Sequence, residues 1–324
     1  TVVSYLLFGL AHSLPLLFLS RLLGGIGGGN ISAAQAYIAD VTRPEERAKG
    51  MGLIGAAFGL GFVFGPFMGG VLVEYGYEIP GFAAAALSTI AFVVAIFALP
   101  ESMKKESARP ASTAVSFSMA TLLDALKRPY VGMLLLMFFL MTFGYANIYA
   151  TFPMISTRKF GFTDREVGYL FGFMGIFGAL TQGWLIRVLA GKIQERRLFL
   201  WGAALTSIGL ALIPWSVSTA MLLLVLAVLS LGTGIMTPSC LGLISKFSDP
   251  SQQGAVLGIN QALGAMGRAL GPVWGAFVFD ALGVPWPFLT GGIVMAAVVL
   301  LVYYEFWLRR GNGAITAASA GSEV

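Results

Sequence analysis

Apolar residues run along this chain in blocks of about twenty, the length that crosses a bilayer as a helix. Nine such blocks cover 16–39, 51–73, 81–99, 131–157, 167–189, 197–214, 219–244, 254–280 and 285–308, and residues 1–10 form part of another. The polar segments between them are short, except for 101–130. Within that segment Ala120–Arg128 can form a short interfacial helix, and 309–324 reads as a disordered tail. The pattern predicts an all-α membrane protein. The basic residues orient it. Of 20 Lys and Arg, 15 fall in the loops 40–50, 100–130, 187–197 and 245–253 and at 309–310. The alternate loops hold three, Arg158, Lys159 and Arg165. The positive-inside bias places the first set, and the C-terminus, on the cytoplasmic side.

Composition agrees. The chain is 57% hydrophobic and 11% charged, against about 25% charged in soluble domains. The net charge of +5 sits in short loops and does not point to nucleic acid. One Cys (Cys240) allows no intrachain disulfide, and one His (His12) builds no metal site. No cofactor is expected. The run GGIGGG at 24–29 lies inside a span with no Gly-Lys-Ser/Thr after it, so it is not a phosphate loop. No hydrolase, kinase or ATPase motif is present, and the chain reads as a non-enzyme.

Two of the apolar blocks are copies. GFVFGPFMGG at 61–70 aligns with GRALGPVWGA at 267–276, an offset of 272 − 66 = 206 residues. From Pro44/Pro250 onward the alignment has no gap and seven identities in 27 positions. Gly61, Gly65, Pro66 and Gly69 match Gly267, Gly271, Pro272 and Gly275, and Gly70 extends the first copy. Small residues four apart share a helix face and let a neighbouring helix come close, and the Pro can bend the span. Repeated membrane helices in one order are a mark of secondary transporters. The second half begins near residues 129–130, so the offset implies that roughly 75 residues precede Thr1 in a longer protein with matched halves. The organisation predicted is a partial first bundle at 1–100, a cytoplasmic linker at 101–130, a six-helix bundle at 131–308 and the tail.

Here the chain resembles the major facilitator superfamily. GFVFGPFMGG looks like that family's antiporter motif, and RLLGGIGGG at 21–29 like the Arg-containing motif of its fourth helix. AYIADVTRPEERAKGMGLIGAAFGLG at 36–61 and LPES at 99–102 are similar to the twelve-helix tetracycline and multidrug proton antiporters. The second-half counterpart of the family's loop motif, GWLIRVLAGKIQERR at 183–197, is degenerate and lacks the Asp. The resemblance implies two six-helix bundles, the first incomplete here. It also implies a small-molecule substrate, a proton as coupling ion, and a monomer in the inner membrane.

Several residues can carry the chemistry. Arg21 lies inside its span on one stripe with Gly25, Gly28, Ser32 and Gln35. A charge there faces protein or water, not lipid, or else snorkels to the interface. The family links this Arg to proton coupling, which predicts an acidic partner. Arg268 stands in mid-span, where bonding to helix carbonyls and contact with substrate are equally open readings. Asp40 and Arg47 bracket the turn DVTRPEER, either a solvated, helix-capping charge cluster or, as the family resemblance implies, a charge network that latches the two halves in one conformation. No Asp or Glu lies deep in a span; Asp40, Glu74, Asp280 and Glu305 stand at span ends. The family's cavity-lining helices make Gln35, Tyr145, Asn147, Tyr149 and Met236 candidates for substrate contact, with Asn260 below Arg268. Abundant Phe and Met suit flexible apolar walls for lipophilic ligands, although most of them pack on lipid or helices. The reading favoured is proton-coupled efflux of small lipophilic compounds. Symport or uniport of a metabolite such as a sugar, and a non-transporting sensor of the same fold, stay open.

Overall fold

A computed structural model describes residues 1–27, 34, 37–38, 41–42, 57, 61, 64–99, 124, 126–128, 130–189, 192–248 and 253–308. Among them every regular element is helical: α1 Val2–Gly9, α2 Leu14–Ile26, α3 64–72 with a 3₁₀ turn at Val73–Tyr75, and α4 Ile79–Ala98. Then come α5 Val131–Ala146, α6 Ile148–Phe160, α7 Asp164–Leu180 continuing to Leu189, and α8 Glu195–Leu212. The last three are α9 Thr219–Phe247, α10 Gln253–Leu282 and α11 Trp286–Tyr303, the last ending in a π-helical turn at Tyr304–Leu308. Seven helical runs among the described residues are long and apolar enough to cross a membrane. They coincide with the apolar blocks. Gln35, Asp40, Arg47, most of 101–130 and the tail lie outside the described residues.

Helix ends follow local chemistry. Ser13 precedes α2 in extended backbone, with a proline in the first turn. Ser218 caps α9 by accepting from Met221 N–H at 3.2 Å. Thr163 and Glu166 form a reciprocal box at the start of α7: Thr163 N–H donates to the Glu166 carboxylate at 2.8 Å, and Glu166 N–H to Thr163 Oγ1 at 3.3 Å. Gly161 ends α6 at φ +68°, a left-handed cap that favours glycine. The expected single span 131–157 is one helical run, Val131–Phe160, with a turn at Asn147 between α5 and α6.

The chain forms two compact units, Thr1–Ala114 with Thr163–Gly172, and Val115–Phe162 with Phe173–Val324. In the first, Ser4 Oγ donates to Ser20 O at 2.7 Å and ties α1 to α2. The start of α7 belongs to this unit and meets α3 at two glycines. A methyl on Gly70 would lie 2.5 Å from Gly168 Cα. Around this contact Arg165 pairs with Glu74 at 3.0 Å, and Tyr77 donates to Asp164 at 2.9 Å. That hydrogen bond, and then the carboxylate's charge, hold the Tyr77 phenol above its ordinary pKa.

In the second unit α8 and α9 pack through Gly202, Gly209 and Gly232. Ser207 Oγ donates to Gly292 O at 2.8 Å, joining α8 to α11. Cys240 is fully buried in α9. The second glycine stripe packs inside this unit. A methyl on Gly267 would lie 3.0 Å from Phe143 N, one on Gly271 2.6 Å from Phe143 O, and one on Gly275 2.8 Å from Asn147 Cβ. The first copy differs. Gly61, Gly65 and Gly69 have no described atom within 4 Å of a methyl placed on them, and Gly70 alone makes the tight contact. The two copies therefore share sequence without sharing neighbours among the described residues. Pro66 falls within helical residues 64–72, and Pro272 within the continuous helix α10.

Candidate functional site

The second unit brings Tyr145, Tyr149 and Arg268 together. Asn147 stands between the two tyrosines in sequence, at the turn from α5 to α6, and their rings meet edge to face with centroids 5.9 Å apart. Arg268 stands within electrostatic reach of the Tyr149 oxygen. Its guanidinium folds back along α10, and a methyl on Gly264 would lie 3.2 Å from Nη1 and 2.9 Å from Phe138 Cε1. Glycine at 264 is thus what lets the guanidinium lie along the helix beside a ring. Phe143 and Trp274 contact each other across the same two helices, with centroids 6.4 Å apart. The result is a cation and two phenols set in aromatic surroundings.

Asn147 stands behind this group. It is 1% exposed, and its amide donates to Gly144 O at 2.9 Å and to Pro287 O at 3.1 Å. The side chain fits because α10 and α11 present Gly275 and Gly291 to it. Both donors are used on carbonyls, so Asn147 ties the end of α5 to α11. Met236 is also 1% exposed, and its backbone lies against Gly202. Asn260 is buried two turns before Arg268. All three are buried.

Arg21 belongs to the first unit. The expected acid is not what the described residues place beside it. Its guanidinium carbon lies 4.4 Å from the Phe8 ring centroid and 5.7 Å from that of Tyr5, and Nε donates to Ser20 Oγ at 3.3 Å. Aromatic faces of α1 thus hold the cation, an attraction of about 0.5–2 kcal/mol depending on solvation. Glu305 was legible only as a residue at a span end. The structure buries it completely within a π-helical turn, beside an aromatic chain that runs Tyr130, Phe247, Phe306. Its position four residues before the run of basic residues gave no sign of that burial.

Comparison with known proteins agrees with this architecture. Residues 1–194 and 134–321 match the model of the Major Facilitator Superfamily. The chain is 32% identical over 317 residues to Multidrug resistance protein 2 of Bacillus subtilis (strain 168), covering 96% of this chain and 78% of that protein. It is 29% identical over 279 residues to the class B tetracycline resistance protein of Escherichia coli, covering 86% and 69%. The crystal structure of the human organic anion transporter MFSD10 superposes with a TM-score of 0.73 at 27% identity, covering 93% of this chain and 74% of that one. A peptide-complexed POT family transporter superposes with a TM-score of 0.72 at 13% identity, a likeness of fold alone.

Proposed function

The chain belongs to the major facilitator superfamily of membrane transporters, and on that premise we propose that it exports small lipophilic compounds in exchange for protons. The observation that carries this reading is the 32% identity, over 96% of the chain, to a protein named for multidrug resistance. The tetracycline resistance relative supports the same direction of transport. Tyr145 and Tyr149 are the substrate contacts in this reading, with Asn147, Met236 and Asn260 shaping the helices around them. Gln35 adds a polar contact from the first half. Arg21 carries proton coupling, and Asp40 and Arg47 latch the cytoplasmic side. The protein works as a monomer in the inner membrane, with its C-terminus in the cytoplasm.

The second unit supplies the physical means. Edge-to-face phenols and the Phe143–Trp274 pair give an aromatic surface that accepts flat apolar ligands without demanding one shape. The test is transport of uncharged phenylnaphthylamine into inverted vesicles loaded with the protein. Accumulation should rise when the vesicle interior is acidified and collapse on adding a protonophore. Equal dye levels with and without the gradient would rule out proton-coupled export.

A further inference from the structure

We propose that the turn from α7 to α8, at one end of the second unit, holds the headgroup of an anionic phospholipid whose acyl chain lies along α8. The site does not depend on what the chain transports. The first support is charge. Segment 187–197 carries four cations, Arg187, Lys192, Arg196 and Arg197, and a single acid, Glu195. It lies within the copy of the family's loop motif that lacks the Asp. Glu195 faces Lys246 at 4.0 Å, and among the described residues Arg187, Lys192 and Arg197 close no ion pair. All three are exposed. The backbone keeps them close. The N–H groups of Lys192 and Ile193 both donate to Leu189 O at 3.1 Å, which folds the chain tightly between the end of α7 and the start of α8. Like charges held on one turn repel, and an anion between them reverses that cost.

The second support is the setting of these cations. The Arg196 guanidinium carbon lies 5.5 Å from the Trp307 ring centroid, and its Nε donates to Gln194 Oε1 at 2.7 Å. Tyr303 stacks on Trp307 with centroids 5.9 Å apart and planes 12° from parallel. Trp and Tyr beside Arg, where the spans of α8 and α11 end, are the residues of a membrane–water interface. An anion here is met at the level of lipid headgroups. The third support is an apolar path that starts at the same place. Arg197, Trp201 and Ile208 share one face of α8 by helical spacing, and all three are exposed. Ile208 stands eleven residues past Arg197, about 16 Å along the helix. That is the depth of one leaflet in a hydrocarbon core about 30 Å thick. A soluble anion would use the cations and leave the stripe. A phospholipid uses both, with its phosphate on the Arg197 fork and a chain against Trp201 and Ile208.

The test titrates the full chain in detergent with phosphatidylglycerol and with phosphatidylcholine of the same acyl chains, and counts bound lipid by native mass spectrometry. The first phosphatidylglycerol should bind about tenfold or more tighter than the first phosphatidylcholine. Replacing Arg187, Lys192 and Arg197 together by Gln should cut that preference to about threefold or less, while phosphatidylcholine affinity stays within about twofold. The unchanged neutral lipid reports that the variant is folded. Arg158→Gln, which removes a cation stacked on Phe279 away from this turn, should leave the preference intact. Trp201→Ala should weaken both lipids by a similar factor, about twofold to threefold. A preference that survives the triple substitution, or that falls as far in Arg158→Gln, overturns the proposal. Release of phosphatidylglycerol by inorganic phosphate would make this a site for a soluble anion and overturn the lipid assignment. Should the triple variant fail to fold, Arg197→Gln alone should lower the preference about threefold, and an unaltered ratio of the two lipids there overturns the proposal equally.

Discussion

Arg21 and Asn147 are both polar residues in apolar helices, and they solve that problem differently. Arg21 lies over the ring of Phe8, 4.4 Å away, a contact that holds the side chain. Such a cation is free to interact with an acid that arrives or leaves as the protein changes shape. Replacing Arg21 with Ala should abolish proton-driven export while dye affinity stays within about twofold. Mutant vesicles that transport at the wild-type rate would return Arg21 to an interfacial anchor. Asn147 instead spends both amide hydrogens on carbonyls of α5 and α11. Asn147→Ala should lower stability by about 1–2 kcal/mol, since hydrogen bonds between membrane helices are individually modest. Thermal unfolding in detergent reads that loss. Neither residue's partner was legible in the sequence. Phe8 is thirteen positions from Arg21 on another helix, and Pro287 lies 140 positions from Asn147. A polar residue in a span announces that it has a partner, but not whether the partner is a ligand, a ring or a carbonyl.

At the scale of elements, the spans were the most legible feature. Each needs about twenty apolar residues, and no tertiary contact is required to see that. The block 131–157 read as one span, and the structure keeps it as the helical run Val131–Phe160, with Pro153 inside it and a turn at Asn147. Glycine spacing was legible as a packing stripe, yet its partner was not. Gly271 meets the carbonyl of Phe143 within its own unit, while its repeat mate Gly65 has no described neighbour at that range. Substituting Gly271 with Ala forces a methyl to within 2.6 Å of that oxygen, and should destabilise the protein by about 1–3 kcal/mol. Gly258, in the same helix, has nothing within 4 Å. Gly258→Ala should be neutral or gain up to about 1 kcal/mol from helix propensity. If the two substitutions melt alike, close approach of α5 and α10 is not what the glycine stripe secures.

For the molecule as a whole, the distribution of Lys and Arg is what predicts an orientation, and it does so without any fold. Fifteen of 20 basic residues fall on one set of loops and at the C-terminal end. A tag fused after Val324 should therefore be cut by protease added to the cytoplasmic face of inverted vesicles, and protected in right-side-out cells. The opposite pattern would reverse every loop assignment and with it the direction of export.

The single thiol has a practical consequence. Cys240 is fully buried in α9 and is the chain's one cysteine. Burial bars reagents from it, so this chain should be silent to maleimides and methanethiosulfonates. Paired spin labels can then be introduced at open positions, such as Tyr77 in one unit and Val217 in the other. No cysteine of this chain need be removed first. Electron–electron resonance on such pairs would give the separation of the units in each protonation state, in the otherwise unaltered protein.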